Sequence, residues 1–124
     1  MTRPITTHQT DDLNKRVIVE AWDDVSPGIA NKSYRLSVNN QDFNQEICKI
    51  RFQSKPVSSP VDVDGVTNES LLAILIDRLR SHQEGVCSCR ENACALTHLE
   101  EALFWLQARM RDREARGVVE KNVK

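Results

Sequence analysis

Hydrophobic and polar residues change their period once along this chain, from two in the first half to between three and four in the second. Val17, Val19 and Ala21 alternate with Arg16, Ile18 and Glu20, the spacing of a strand with two unlike faces. Asp23-Asp24 and Pro27-Gly28 break that run. Tyr34, Leu36 and Val38 then alternate with Arg35 and Ser37 until Asn39-Asn40 turns the chain. Residues 47–53 form a third candidate strand, with Cys48, Ile50 and Phe52 on one face. Three short strands joined by turn residues predict an antiparallel meander. Residues 1–14 show no period and read as a flexible arm. Residues 55–64 carry Pro56 and Pro60 among small polar residues, which suits a linker or an edge segment.

The second half predicts two helices. Thr67 fits the N-cap of the first, and Val66 before it can staple against Leu71. This helix is expected to run to about Glu84, with Gly85 as its stop. Its apolar run from Leu71 to Ile76 is wider than one amphipathic stripe, so more than one face must be covered. Ser88 and Glu91 have the spacing of a capping box for the second helix. No Gly or Pro follows until Gly117, which predicts a helix of about 28 residues. Leu96, Leu99, Leu103, Leu106 and Met110 make a coiled-coil-like seam along it. Only Val86 and Cys87 separate Gly85 from Ser88, so the two helices must turn back as an antiparallel pair. The longer second helix overhangs the first, and its surplus apolar surface points to a second subunit.

The fold class that follows is α+β: a small N-terminal antiparallel β-sheet, then a long antiparallel two-helix hairpin, oligomeric. In this reading residues 15–118 form a single domain, with meander and linker over 15–64 and the hairpin over 65–118. Residues 119–124 are a tail. The 124 residues suit one domain, and 40% hydrophobic content supports one modest core. Lys plus Arg number 17 against 18 Asp plus Glu, so the basic excess of a protein that grips long nucleic acid is missing. The opening residues are polar and the longest apolar run falls far short of the ~20 residues of a membrane span. These features lead us to expect a soluble, intracellular protein with no membrane partner.

Candidate chemistry is sparse. The four glycines all sit at turns or helix ends, so no glycine-rich phosphate loop is available. At 100° per residue, Arg109, Arg113 and Arg116 share one side of the second helix, and His98, Ala102 and Trp105 continue that strip toward the tip. Guanidinium groups beside an indole offer forks for phosphate oxygens and a flat face for a base. Arginines late in a helix also simply favour its negative end, and both readings stand. Arg90 and Asn92 lie in the first turn, where backbone amides favour anions; Asn92 is equally an ordinary backbone-bonding first-turn residue. His82, Cys87, Cys89, Cys94 and His98 cluster at the tip, but their spacing is not that of a zinc knuckle, and small buried cysteines are expected instead. No Ser or Cys stands beside an identifiable base, and Glu100-Glu101 reads as a solvent-facing pair. We assign no catalytic residue, metal or cofactor.

Residues 66–79 (Val-Thr-Asn-Glu-Ser-Leu-Leu-Ala-Ile-Leu-Ile-Asp-Arg-Leu) and the later pattern Cys89-Arg90-Glu91-Asn92, residues 95–103, Trp105-Leu106, Arg109, Arg113 and Arg116-Gly117-Val118 resemble the phage anti-Thoeris sponge proteins. That family shares its hairpin with the type-two anti-CBASS sponges. Ile50-Arg51-Phe52-Gln53 and the meander before it are similar to the sheet of the anti-Thoeris branch. The resemblance covers residues 15–118 and is most specific in the second helix. It implies a protein of the infected host's cytoplasm that captures cyclic ADP-ribose isomers made by TIR proteins and does not cleave them. It also implies homo-oligomers, dimers assembling to hexamers, and in some members separate sites for cyclic di- or trinucleotides. By the same resemblance the ligand pocket uses Asn92, Arg109 and Arg113. His82 or Val86 stands where relatives carry an apolar or aromatic pocket residue, and the tip cysteines depart from the family pattern.

Overall fold

The computed structural model describes residues 2–116, which fall into two compact units meeting between Ser54 and Lys55. Each is described by itself. Gly117, Val118 and the predicted tail lie outside the described residues.

The first unit is a four-stranded sheet in the order β1-β2-β3-β4, antiparallel throughout. Its strands are β1 (Arg3–Ile5), β2 (Val17–Ala21), β3 (Ser33–Asn39) and β4 (Asn44–Arg51). A short helix, α1 (Asp12–Lys15), precedes β2. Three strands were expected; the fourth comes from residues 1–14, the segment without a hydrophobic period. β1 pairs Arg3 with Ala21 and Ile5 with Val19, and α1 is capped by the Asp11 carboxylate, which accepts from Asn14 N at 3.1 Å. Pairing with a neighbour, rather than alternation of its own, makes β1 a strand. Ala21, 1% exposed, is the buried apolar residue of this unit.

A bulge in β4 decides what its faces carry. Leu36 lies opposite Cys48, whereas Ser37 lies opposite Glu46, so Ile47 is the extra residue. Cys48 and Ile50 therefore share a face with Leu36 and Tyr34. Strict alternation would put Glu46 on that same apolar face; the bulge moves it to the polar one. There Arg35 donates to Glu20 Oε1 from Nη2 at 2.8 Å, and the pairing holds the guanidinium firmly charged, its pKa raised by that bond. Ile18, Glu20, Arg35, Ser37, Asn39, Asn44 and Glu46 line a shallow hollow of about 460 Å³ on this face.

The β2–β3 loop is tied by one carboxylate. Asp23 accepts from Asn31 Nδ2 at 3.0 Å, from Lys32 N at 3.1 Å and from Ser33 N at 3.1 Å. The Asn31 amide and these backbone donors hold its pKa down at about 2. A folded pKa below the usual 3.8 means that this stabilisation is complete above about pH 4 and is lost as pH falls toward 2. We expect the loop to loosen across that window, and Asp23→Asn to remove the pH dependence. Amide exchange of Lys32 and Ser33 against pH measures it.

The second unit begins with a linker that is more ordered than its composition suggests. Residues Pro60–Asp62 form a single 3-10 turn, and the Asp62 carboxylate accepts from Ser58 N, Ser58 Oγ and Ser59 N. Helices α2 (Asn68–Gln83) and α3 (Arg90–Ala115) follow as the predicted hairpin. Thr67 caps α2 as expected: Thr67 Oγ1 accepts from Ser70 N at 3.1 Å while Thr67 N donates to Ser70 Oγ at 3.0 Å. The α3 cap differs from the prediction by one residue. Cys89, not Ser88, is the N-cap, and its Sγ accepts from Asn92 N at 3.4 Å.

The seam of the hairpin is where the sequence placed it. Leu96, Leu99, Leu103, Leu106 and Met110 are half-buried, and Ile76 of α2, 3% exposed, is the buried apolar residue among the described residues of this unit. Arg80 Nη2 donates to Glu100 Oε2 at 2.7 Å and so joins the two helices at their exposed side. Glu100 is therefore a bridge between helices and not simply a solvated charge. Outside the seam the unit exposes Ile74, Leu75, Phe104 and Trp105.

Candidate functional site

The candidate residues separate into two groups along α3. His82, Arg90 and Asn92 stand at the hairpin tip; Trp105, Arg109, Arg113 and Arg116 stand on the far half of the helix. Seventeen residues from Asn92 to Arg109 correspond to about 25 Å along the axis, and Arg113 is about 31 Å from Asn92. No ligand of nucleotide size touches both groups on one hairpin. The single pocket that the family resemblance implies for Asn92, Arg109 and Arg113 would need a second copy to bring its tip beside the arginines of the first.

The far group forms a row. Steps of four, four and three residues keep Trp105, Arg109, Arg113 and Arg116 within one helical strip. Trp105 is 68% exposed and stands edge-on to Phe104, with ring centroids 5.4 Å apart. Arg109 is exposed; Arg113, nearest the leucine seam, is half-buried. Arg116 Nε lies 3.1 Å from Asp112 Oδ2, one turn back, so part of its charge is met within the helix. The row offers an aromatic face at one end and guanidinium groups along the rest, which suits a planar base joined to phosphates.

The tip is built by hydrogen bonds rather than by packing. Val86 is fully exposed, so of the two candidates near the end of α2 the half-buried His82 is the better covered. Arg90 is exposed. Asn92 is half-buried and its Nδ2 donates to Cys87 O at 3.1 Å. The expectation of buried cysteines is corrected: Cys48, Cys87, Cys89 and Cys94 are all exposed, and Cys89 serves as a cap. Among the described residues no three His, Cys, Asp or Glu side chains gather as metal ligands. Gln83 was missed by the sequence reading. It closes the tip by accepting from Cys89 N and donating to Cys89 O, and a lone glutamine at a helix end gives no pattern by which to find it.

Fold and site together define an α+β protein whose long hairpin carries a cation–aromatic row beside exposed Phe104, Ile74 and Leu75. The family model for the Acb2/Tad1 hairpin domain matches residues 44–111, from the start of β4 through most of α3. The chain belongs to that family, as its resemblance to the anti-Thoeris sponges implied. It is 46% identical over 81 residues to Thoeris anti-defense 1 of Bacillus phage SBSphiJ7, a match covering 65% of this chain. The chain matches 56% of that relative's length. No helix among the described residues is long and apolar enough to cross a membrane.

Proposed function

We propose that the protein is a phage-encoded immune-evasion sponge that captures a cyclic nucleotide signal in the cytoplasm of the infected bacterium and holds it without cleaving it. The row of exposed Trp105 and Arg109 with half-buried Arg113 carries this reading, on a hairpin of a family whose relative is named for defeating Thoeris. The preferred ligand is a cyclic ADP-ribose isomer from a TIR protein, with cyclic di- or trinucleotides as further ligands at separate sites. Arg109 and Arg113 take its diphosphate, Trp105 stacks on its base, and Arg116 adds positive potential. Asn92, with Arg90 and His82, completes the pocket from a neighbouring subunit. The separation of about 25 Å between the two residue groups supports that division of labour. A lone hairpin holds only half a pocket in this reading, so the protein acts as a homo-oligomer; dimers assembling to hexamers are what the resemblance to the sponge family implies.

Titration calorimetry with a cyclic ADP-ribose isomer tests the proposal. Binding at micromolar protein with one ligand per composite pocket is the expected result; no heat at that concentration counts against it. The exposed Ile74, Leu75, Phe104 and Trp105 favour a second reading, an oligomerisation or protein-interaction module without a nucleotide ligand. In that case the arginine row docks a partner chain, and its loss disperses the oligomer.

A further inference from the structure

We infer that Gln83 is a positioning residue that sets Asn92 as a hydrogen-bond acceptor for the nucleoside end of the ligand, an inference that rests on the proposed binding function. Gln83 is the last residue of α2, and its amide meets both backbone polar groups of the α3 N-cap residue. Cys89 N donates to Gln83 Oε1 at 3.1 Å, and Gln83 Nε2 donates to Cys89 O at 3.2 Å. The chemistry fixes the orientation of that amide: the backbone N–H requires its oxygen and the backbone carbonyl requires its nitrogen. Cys89 is thereby locked in its extended cap conformation, φ −159° and ψ 165°.

The locked cap in turn holds Asn92 from two directions. Asn92 N donates to Cys89 Sγ at 3.4 Å, and Asn92 Nδ2 donates to Cys87 O at 3.1 Å. A carbonyl only accepts, so the Asn92 amide must turn its nitrogen toward Cys87. These bonds take the backbone N–H and one of the two Nδ2 hydrogens of Asn92, and neither uses Oδ1, which is left to a ligand. A phosphate diester oxygen also only accepts, so Asn92 Oδ1 is the wrong partner for the diphosphate. It suits a ribose hydroxyl or an exocyclic amino group. The two halves of the composite pocket thus divide the ligand, arginines on the phosphates and the tip amide on the nucleoside.

A double-mutant cycle tests the coupling, because a residue acting through another loses its effect when that other is removed. Gln83→Met keeps the length of the side chain and removes both bonds. It is expected to weaken binding of a cyclic ADP-ribose isomer about tenfold, the equivalent of about 1.4 kcal/mol. In an Asn92→Ala background the same change should do nothing further, and in an Arg109→Ala background it should keep its tenfold effect. An equal loss in all backgrounds, or none in any, overturns the inference. Should Gln83→Met lose the hairpin, Gln83→Glu, which keeps the acceptor for Cys89 N–H, goes through the same cycle. A readout without ligand separates this inference from the function on which it rests. The side-chain amide protons of Asn92 should exchange slowly with solvent and resonate away from their unfolded-chain positions in the unsubstituted protein, and should exchange fast at near unfolded-chain positions in the variant. Unchanged signals refute the positioning; failure of the unsubstituted protein to bind refutes the proposed function instead.

Discussion

Replacing Arg109 and Arg113 together by alanine is expected to weaken binding of a cyclic ADP-ribose isomer at least a hundredfold and to leave the oligomer intact. Hydrogen bonds to charged groups contribute about 1.5–3 kcal/mol each, so two lost guanidinium contacts amount to roughly 3–6 kcal/mol. Every 1.4 kcal/mol is about tenfold in affinity, which puts the loss beyond a hundredfold. The helix itself should tolerate the change, since alanine is the strongest helix former. Arg113 is half-buried, so a small drop in melting temperature is expected from that position alone. Sedimentation of the double variant decides between the two functional readings. An intact oligomer without ligand fits a sponge; a dispersed oligomer fits an interaction module.

The largest effect on stability is expected at Ile76. It is 3% exposed at the centre of the α2 face that meets α3, and it is the one buried apolar side chain among the described residues of its unit. Truncating a buried isoleucine to alanine removes its transfer free energy and leaves a cavity, together about 2–5 kcal/mol. For a unit of this size that corresponds to a fall of roughly 10–40 °C in melting temperature. Ile74, two positions away, is 62% exposed, and Ile74→Ala should change the stability of the isolated subunit little. Its expected effect is on assembly, seen as a weaker oligomer at low protein concentration. Thermal melts of both variants, read by helical circular dichroism, check the contrast. Equal falls for Ile74 and Ile76 would show that the hairpin is buried differently from the arrangement described.

Much of the fold is legible in the sequence because it rests on local rules. The period of the leucine seam, the Thr67 cap and the two-residue link after Gly85 define the hairpin without reference to anything distant. β1 is not legible in this way. Arg3, Pro4 and Ile5 have no period of their own and become a strand through pairing with β2. The bulge at Ile47 is equally hidden, since it depends on where β3 places Ser37 and Leu36. The α3 cap shows the limit of a motif: Ser88-x-x-Glu91 has the right spacing, yet the cap goes to Cys89 because Gln83 reaches across the turn to hold it.

The candidate site divides along the same line. The Trp105, Arg109 and Arg113 row follows from helical spacing and stands as the sequence set it out. The gathering of Asn92 with that row does not follow. Helix geometry alone keeps them about 25 Å apart on one chain, and only the assembly of copies can join them. Gln83 and the tip bonds to Asn92 arise from a turn whose shape no residue pattern announces.

The most direct test of capture without cleavage is to incubate the protein with a cyclic ADP-ribose isomer, remove free ligand, denature the complex by heat and identify what is released by mass spectrometry. The account predicts recovery of the intact cyclic molecule in stoichiometric amount. Recovery of a linear or hydrolysed product, or of nothing at all, would contradict it.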